Sequence, residues 1–581
     1  MAEYHNPQHE QGTEKRVLIV FVLTFVLFVL FQPLLKKYFP QSATPPPQTQ
    51  SSPTPAPGTA SNGAVATPPA RVAAIPQGTK QASSESETTI ENDLYKIRFS
   101  NKGAQVKSWI LKKYTDDQGA PLELVNKAAA EQYGYPLSLW TYDESQRNKL
   151  NAALYVSSKE GSLSAPSEIN FEYSDSDIAV TKTFKFDHSY VVQVETSVTS
   201  KGASVSALPM WPAGFGDEVS VASYASAWVE YQYNNNVERV QAKKISGGNT
   251  IAGPMHWAGI GDQYFGAVFI PQDARDASLV TLRYGLDVPR DPQKPQGEKT
   301  KVDIVGAAVG NLHGPTVQRM YVGPKSLPIL ESVSIPGVTG AEPDLRALVD
   351  FGWLGLIARP LFLWLKWTYN HIVANWGWAI VIQTIIINLA LLPLRISQMK
   401  SMLKMQKIQP QIKSIQEKYK KYSMRDPRKA PMNEEIQALY KQEGVNPVGG
   451  CLPLVIQMPF LFAYYRMLGV AIDLRHAPWL WIRDLSAPDP WHLLPVAIII
   501  TMLLMQRSTP QAGMDPAQQK MMNVMMPVML GVISWNLAAG LCLYWSVGNV
   551  IGIVQQSIMN RTTLGREMRE MMEKRAKKKD K

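Results

Sequence analysis

Apolar and polar positions follow different patterns along the 581-residue chain, and the first pattern is a single apolar run near the N-terminus. Residues 17–31 are apolar except for one threonine, and basic residues flank the run on both sides. A membrane-spanning helix needs ~20 mostly apolar residues, so we predict a cytoplasmic N-terminus and a retained signal anchor within residues 1–40. A cleaved signal peptide is the alternative, because residues 41–43 end in a small side chain.

Residues 41–87 show no hydrophobic period. They contain nine prolines and no aromatic residue, with serine, threonine, alanine and glutamine between them. Such a composition cannot bury enough apolar surface to offset the entropy of ordering. We therefore predict a flexible tether that holds the following domain away from the membrane.

Residues 88–345 alternate between apolar and polar positions with a period of two. LYKIRFS and AQVKSWIL flank the turn Asn101-Lys102-Gly103, and AVTKTFKFD and YVVQVETSVTS flank the turn His188-Ser189. Alternating runs rich in β-branched and aromatic residues are typical of an antiparallel sandwich. We predict a β domain here, in which the sequence has no nucleophile elbow, P-loop, HExxH or dinucleotide motif.

Residues 349–372 open the strongly apolar C-terminal part with a helical pattern rich in tryptophan. Arg359, Lys366 and Asn370 recur on one face of this helix. We predict an amphipathic helix that lies along the membrane surface. A spanning helix is the alternative, and the two cations within the segment weaken it.

Four further apolar segments are candidates for membrane spans. The last is too long for one helix and breaks at Ala538-Ala539-Gly540, so it predicts two helices. The shortest covers about 22 Å at ~1.5 Å per residue, less than the ~30 Å hydrocarbon core, so local bilayer thinning is expected. The segments are residues 376–394, 448–470, 491–505 and 521–558. With the anchor they predict six transmembrane helices, five of them in a C-terminal α-helical bundle.

The net charge of +11 and the mean hydropathy of −0.14 are averages typical of a soluble basic protein, but the charge is unevenly placed. Residues 395–446 hold twelve basic against five acidic residues, and residues 561–581 hold nine against four. Because basic loops stay in the cytoplasm, both segments and both termini are predicted to be cytoplasmic. The β domain and the surface helix then lie on the outer side.

Residues 395–446 also carry two apolar stripes at helical spacing. Ile408, Ile412, Ile415 and Tyr419 form the first stripe, and Ile436, Leu439 and Tyr440 form the second. The stripes predict an antiparallel helical hairpin with basic outer faces. Docking of the ribosome or anionic lipid is one interpretation of these faces, and a solvated loop is the alternative. The candidate contacts in the hairpin and the tail are Lys413, Lys418, Lys420, Lys574, Arg575, Lys577, Lys578 and Lys579.

Polar residues within the predicted spans are informative because each costs free energy in lipid. If they converge, they line a hydrated groove. The alternative is hydrogen bonding between helices, worth about 0.6 kcal/mol per contact. The candidates are Gln383, Thr384, Asn388, Gln457, Thr501, Gln506, Ser534, Asn536 and Asn549, followed in the last span by Ser546, Gln555 and Gln556.

The sequence contains few of the residue patterns that bind cofactors or metals. Cys451 and Cys542 are too few for a disulfide framework, a four-cysteine zinc site or an iron–sulfur cluster. A Walker motif is also missing from the sequence. We therefore expect no metal, no cofactor and no enzymatic reaction.

Several motifs resemble those of one family in their order and spacing. In the C-terminal part they are NWGWAI, SMLKMQKIQP, ALYKQEGVNPVGGCLPLVIQMPFLFAYYRML, DPAQQKMM and GLCLYW followed by Asn549 and Gln555-Gln556. In the β domain they are VTKTFKF, HWAGIGDQYFGAVFIP and YVGPK. The chain thus resembles the YidC family of membrane protein insertases, of the Gram-negative bacterial type, over nearly its whole length.

This resemblance implies a multi-pass protein of the bacterial inner membrane with a periplasmic β-supersandwich like that of sugar mutarotases. It implies an insertase and chaperone for integral membrane proteins, acting alone or with the Sec translocon, through a hydrophilic groove open to cytoplasm and lipid. The implied partners are nascent membrane proteins, the ribosome, the translocon with its accessory subunits and membrane lipids, and DNA is not among them. Thr384 and Trp545 match residues that line the family's groove.

The chain departs from the family's pattern at one position. The family usually has an arginine where this chain has Asn388, which puts direct pairing with an acidic client in doubt, and Arg395 two turns on is a candidate substitute. Client helices are expected to slide into lipid past Met458, Leu461 and Ile533. Two other functions stay open on the sequence alone, a polytopic secondary transporter and a membrane-tethered periplasmic protein that binds or modifies carbohydrate.

Overall fold

A computed structural model of the chain describes residues 78–233, 236–291, 294, 296–333, 345–419, 422, 430–444, 452–508, 521–563, 566–567 and 570. The predicted signal anchor and most of the predicted tether therefore lie outside the described residues. The same holds for the tail candidates Lys574, Arg575, Lys577, Lys578 and Lys579 and for Lys420 in the hairpin.

Twenty strands lie within the described part of the N-terminal half. They are β1 Glu87–Glu91, β2 Tyr95–Ser100, β3 Gln105–Thr115, β4 Pro121–Glu123, β5 Ser138–Trp140, β6 Val156–Ser157, β7 Gly161–Ser164, β8 Ser167–Ser174, β9 Ile178–Phe186, β10 Val191–Ser200, β11 Ala203–Ser204, β12 Leu208–Trp211, β13 Trp228–Tyr233, β14 Asn236–Gln241, β15 Asn249–Ala252, β16 Met255–Gly261, β17 Phe265–Pro271, β18 Ala277–Pro289, β19 Lys299–Asn311 and β20 Thr316–Pro324. Short helices interrupt them, namely α1 Lys127–Tyr133, α2 Glu144–Ala152, α3 Val221–Ala225 and α4 Leu327–Glu331.

The strands form three sheets. The largest has the order β14-β13-β16-β17-β20-β10-β9-β8-β6 with β11 beside β10, and two five-stranded sheets have the orders β4-β3-β2-β1-β7 and β15-β18-β19-β12-β5. β2 pairs antiparallel with β3, and β9 with β10, which confirms both hairpins predicted from the alternation. β1 and β7 pair in parallel, so the sheets are not purely antiparallel.

The core of the β domain follows from the period of two. In β9 every second residue from Ile178 to Phe186 faces inward, and Lys182 occupies one of these inward positions. Its ammonium group donates to the carbonyl oxygens of Gly103, Ala104 and Leu137 at 2.9, 2.9 and 2.6 Å. Burial lowers the pKa of Lys182 to about 7, and its amino group is hydrogen bonded on three sides, as a polar group in an apolar core must be.

The β domain begins earlier in the chain than the sequence predicts. The predicted tether runs to residue 87, whereas Lys80 exchanges main-chain hydrogen bonds with Ser174, and Ala82 donates to Leu154. Main-chain pairing of this kind does not depend on side-chain composition. Because these residues are polar, the sequence predicted them as part of the tether, although their main chain pairs with the β domain.

The C-terminal half is helical. Its helices are α5 Gly355–His371, α6 Trp376–Ala390, α7 Leu392–Lys418, α8 Ala430–Gln442, α9 Leu452–Val470, α10 Leu493–Ser508, α11 Met526–Ser534 and α12 Ala539–Arg561, with a π-helical turn Met521–Met525 ahead of α11. α5 packs against α6 and α9, and α12 packs against α6 and α10. Within the described residues no single helix is long and apolar enough to pass as a membrane span, but α6 and α7 pass together across a 47° bend.

Two loops fix how these helices meet. α11 and α12 are separated at the predicted break, where the main-chain N–H of Ala539 donates to Ala487 at 2.7 Å and that of Gly540 to Leu485 at 2.9 Å. Asp489 lies four residues before α10, and its carboxylate accepts from the N–H of Leu494 in the first turn of that helix at 2.7 Å. α7 and α8 pack through the predicted apolar stripes, with Ile408 and Ile412 against Ile436, Leu439 and Tyr440.

Candidate functional site: a polar cluster between four helices

The bend after α6 turns the start of α7 back toward the helix before it. Asn375 caps the N-terminus of α6, where its side chain accepts from the N–H of Trp378, and Leu391 caps the C-terminus. Pro393 is tolerated in the first turn of α7, where its missing N–H has no helical partner. Arg395 lies in the same turn, and its Nη2 donates to Oδ1 of Asn388 at 3.2 Å.

Asn388 is the centre of the polar cluster and is 3% exposed. Its Nδ2 donates to the carbonyl oxygen of Thr384 at 2.8 Å, and its own carbonyl oxygen accepts from Nε2 of Gln555 at 3.1 Å. The side-chain oxygen remains for Arg395. A side-chain amide supplies both donors and acceptors, so that of Asn388 bonds its own helix and holds the guanidinium group of α7, while its main-chain carbonyl joins α6 to α12.

Two glycines of α12 make room for this arrangement. A Cβ atom on Gly552 would lie 2.9 Å from Nη1 of Arg395, closer than real side chains approach. A Cβ atom on Gly548 would lie 3.8 Å from Nδ2 of Asn388, an ordinary contact. Close approach of helices over small residues four apart is common in membrane proteins. The GNVIG sequence was the signal for this contact that the sequence analysis missed.

A second pair extends the cluster to α10. Nδ2 of Asn549 donates to Oγ1 of Thr501 at 3.1 Å, and Thr501 donates to the carbonyl oxygen of Ala497 at 2.7 Å. Ser546 donates to the carbonyl oxygen of Leu494 at 3.4 Å. The polar side chains of α12 therefore face α6 on one side and α10 on the other.

Several predicted groove residues lie elsewhere or make different contacts. Gln383 is completely buried, donates to Leu361 of α5 at 2.9 Å and accepts from the hydroxyl of Tyr464 of α9 at 2.8 Å. Ser534 is also buried and donates to its own helix at Leu530. These contacts fit the alternative of hydrogen bonding within and between helices, and a groove role for either side chain stays a prediction.

The remaining candidates are less informative. Trp545 is partly buried on α12. Gln506 is partly buried near the C-terminal end of α10, and Gln457 lies in α9, where its side chain is outside the described part of the structure. Thr384, whose hydroxyl donates to Ile380 at 2.6 Å, joins the cluster through its carbonyl oxygen.

The faces expected to meet lipid carry apolar side chains. Ile533 is 50% exposed, and it belongs to a stripe along the π-helical turn and α11 that also contains Val524, Met525, Val528, Met529 and Val532. Met458 and Leu461 of α9 are partly buried. The α11 stripe is continuous at helical spacing, as a lipid-facing surface requires.

Comparison with known proteins places these features in a family. Residues 367–566 match the family model described as 60Kd inner membrane protein, and residues 87–364 match the YidC periplasmic domain. A protein of Syntrophus aciditrophicus is 31% identical over 577 residues, covering 94% of this chain and 99% of that protein. One of Geobacter metallireducens is 32% identical over 582 residues, covering 95% and 99%. Both are named membrane protein insertase YidC.

A solved structure is also similar. It is described as an active YidC insertase crystal structure with the first transmembrane domain resolved, at 19% identity and a TM-score of 0.34, covering 83% of this chain and 94% of that chain. The two family models define an inner membrane protein with a periplasmic sheet domain and a helical C-terminal region. With relatives of this identity over almost the whole length, the chain belongs to the YidC family of membrane protein insertases.

Proposed function

We propose that this chain inserts newly made proteins into the inner membrane and assists their folding, using the polar cluster of Asn388, Arg395, Asn549 and Gln555 as the entry for polar client segments. The family membership supports the activity. The observation that carries the route is the hydrogen bond between Arg395 and Asn388. This bond supports the route because it holds a cation beside residue 388, where the family resemblance implies an arginine, although residue 388 itself is uncharged.

Arg395 is suited to receive an acidic client residue. Its side chain is partly buried, and among the described residues it has no carboxylate within 4 Å. A charge at the centre of a bilayer costs ~2.5–3.5 kcal/mol on insertion scales. A fixed guanidinium with several free donors lowers this cost for an acidic flank because it pairs with the carboxylate in a poorly solvated place.

The apolar part of the client supplies the driving force. Each leucine or isoleucine contributes roughly 0.3–0.6 kcal/mol when a helix enters lipid, so no nucleotide is required. We place the exit toward lipid along Met458 and Leu461 of α9 and the α11 stripe around Ile533. The half-exposed apolar side chains of α11 support this direction.

The topology is part of the proposal. It has six membrane spans, both termini in the cytoplasm, the β supersandwich in the periplasm and α5 on the outer surface of the membrane. Three features of α5 support its place. Leu356, Leu363 and Trp367 form an exposed apolar stripe, Lys366 pairs with Asp473 at 2.9 Å, and the opposite face packs on α6 and α9.

Partner contacts are proposed for the α7–α8 hairpin and the basic tail, which would meet the ribosome or anionic lipid on the cytoplasmic side. Lys413 is exposed and supports this assignment, whereas Lys418 is held by Glu435 at 2.7 Å. Cooperation with the Sec translocon and its accessory subunits belongs to the same proposal.

Crosslinking tests the route. Ribosomes stalled on a single-span membrane protein would be mixed with full-length protein that carries a photoreactive residue at position 549, 461 or 533, or at exposed Leu356 on α5 as the control. We expect crosslinks from the first three positions and not from position 356. Crosslinks from position 356 alone would contradict the proposed route while leaving the family assignment intact.

A further inference from the structure

A cleft lies between the β domain and the loop that follows α9. Its larger part, about 530 Å³, is lined by the turn between β9 and β10, the end of β3, β20 and α4. A second hollow of about 340 Å³ shares Lys113 and Tyr114 with the first and reaches residues 472–476 of the loop. The two hollows therefore adjoin at the end of β3.

The lining of the cleft is basic. Gln193 of β10 stands between Lys185 of β9 and Arg319 of β20 in one cross-strand row, and Lys113 and Arg475 lie further along. The acidic residues that line the two hollows are Asp187 and Asp473.

Ion pairs account for most of the charges in the lining. Asp473 is held by Lys366 at 2.9 Å, Lys185 has a partner in Glu195 at 3.2 Å, and Arg475 lies 3.9 Å from Asp117. Lys113 has no ion-pair partner within 4 Å among the described residues. Several cations around one hollow, with one of them unneutralised, favour an anionic ligand.

The position of the cleft indicates the source of that anion. Residues 472–476 begin two residues after α9 ends at Val470, and the ion pair between Lys366 and Asp473 ties them to α5. If α5 lies on the outer surface of the membrane, the mouth of the cleft is at the level of the lipid headgroups. Phosphates are then always present at the cleft, and lysine and arginine bind them well. Tyr114, which is partly buried, adds aromatic surface of the kind found at membrane interfaces.

We infer that this cleft binds the headgroup of an anionic phospholipid of the outer leaflet, and so docks the periplasmic domain on the membrane. The inference rests on the proposed topology but not on the insertion route. A phospholipid is favoured over an acidic client segment because the loop end of the cleft joins the membrane helices, whereas no residue of the polar cluster around Asn388 lines either hollow.

The test measures lipid binding to the full-length protein. Detergent-purified protein would be titrated with phosphatidylglycerol and with phosphatidylcholine, and bound lipid counted by native mass spectrometry. Lys113→Gln is the test variant and Lys159→Gln, an exposed lysine outside the lining of the cleft, is the control of equal charge. We expect Lys113→Gln to weaken phosphatidylglycerol binding about fivefold, since one basic residue near a lipid surface contributes ~1 kcal/mol, and the control to bind as the unchanged chain does.

Competition experiments distinguish a bound phospholipid from other sources of the anion. Equal phosphatidylglycerol binding by the two variants would overturn the inference. Displacement of the lipid by millimolar inorganic phosphate would assign the site to free phosphate, and displacement by a polyglutamate peptide would assign it to an acidic protein segment. Labelling of Ser204→Cys, an exposed position of the β domain outside the lining of both hollows, from outside the cell checks the topology separately. Protection of that cysteine would remove the basis for an outer-leaflet lipid without touching the insertion route.

Discussion

The carboxylate of Asp350 accepts a hydrogen bond from Nη2 of Arg466 at 2.6 Å, and this pair joins the segment after the β domain to α9. Arg239 of β14 approaches the same carboxylate at 3.7 Å and also donates to the main chain at Ala347. One acidic residue thus holds a strand of the periplasmic domain and a helix of the membrane region. Burial by itself raises the pKa of Asp350, but the two guanidinium groups and the N–H of Gly352 outweigh it and hold the pKa below its usual value.

We predict that Asp350→Asn removes an acid-dependent part of the stability. A carboxyl whose pKa is lowered in the folded state stabilises the protein above its ordinary pKa, and this contribution is lost as the pH falls through the folded value. The thermal transition of the unchanged protein should therefore fall more steeply below about pH 4 than that of the variant. At neutral pH the variant should lose about 1–3 kcal/mol, because two partly buried arginines lose a charged acceptor. Parallel pH curves would contradict this role.

Arg395→Gln should weaken insertion of clients with an acidic translocated flank about tenfold, because a hydrogen bond to a charged group contributes ~1.5–3 kcal/mol. Insertion into proteoliposomes would be followed by protease protection. Lys404→Gln, which removes an exposed charge from the same helix at a position outside the candidate ribosome and lipid contacts, is the control. A wholly apolar client should insert equally with both variants, and equal losses for both clients would remove Arg395 from client selection.

Asn388→Leu should have a related but weaker effect. The substitution removes the oxygen that holds Arg395 and the donor to Thr384 while preserving approximate volume. We expect clients with charged translocated segments to lose more insertion than apolar clients in the same protease-protection assay. If both clients insert equally well, Asn388 has no part in the route.

Gly552→Val tests the space that Arg395 occupies. A Cβ atom at position 552 would lie 2.9 Å from Nη1 of Arg395 and 3.3 Å from Sδ of Met505. The valine side chain must therefore displace the guanidinium group. The expected result is the same selective loss as for Arg395→Gln, measured on the same two clients. Gly548→Ala is the matched control, because its Cβ would make only ordinary contacts at 3.8 and 3.9 Å. A Gly552→Val protein with unchanged selectivity would refute the packing argument.

Lys182→Met should destabilise the β domain by about 3 kcal/mol. The substitution leaves three buried carbonyl oxygens without their donor, and each unsatisfied group costs ~1–3 kcal/mol, partly recovered by apolar burial. Ala104 and Leu137, two of these acceptors, have positive φ angles of 46° and 63°, so the ammonium also holds an unusual main chain. Lys185→Met on the same strand, where the side chain is half exposed, is the control in thermal unfolding. Equal transitions for the two variants would exclude the structural role of Lys182.

The sequence predicted the regular parts of the fold well and the contacts poorly. The hairpins of β2 with β3 and β9 with β10 follow from alternation, which depends only on neighbours along the chain. The break before Ala539 follows from small residues. Gln383 could not be interpreted in this way, because its partners Leu361 and Tyr464 lie on two other helices.

The contacts of the polar cluster were likewise only partly predictable from the sequence. Thr384 and Asn388 lie four residues apart, so helical spacing alone puts them on one face, but the approach of Arg395 depends on the 47° bend between α6 and α7. A bend of this size is a tertiary feature that periodicity does not encode. Gly552, which decides whether the guanidinium fits, carries no chemistry of its own and could be recognised only from its spacing with Gly548.

The two ends of α7 lie at very different distances from the bend at Leu391. Arg395 stands four residues beyond the bend at Leu391, about 6 Å along the axis, while Lys418 stands about 40 Å away at ~1.5 Å per residue. If α7 pivots at the bend as a lever, a displacement at the far end reaches the guanidinium reduced about sevenfold. In such a pivot the hairpin end of α7 moves several times farther than the charge beside Asn388.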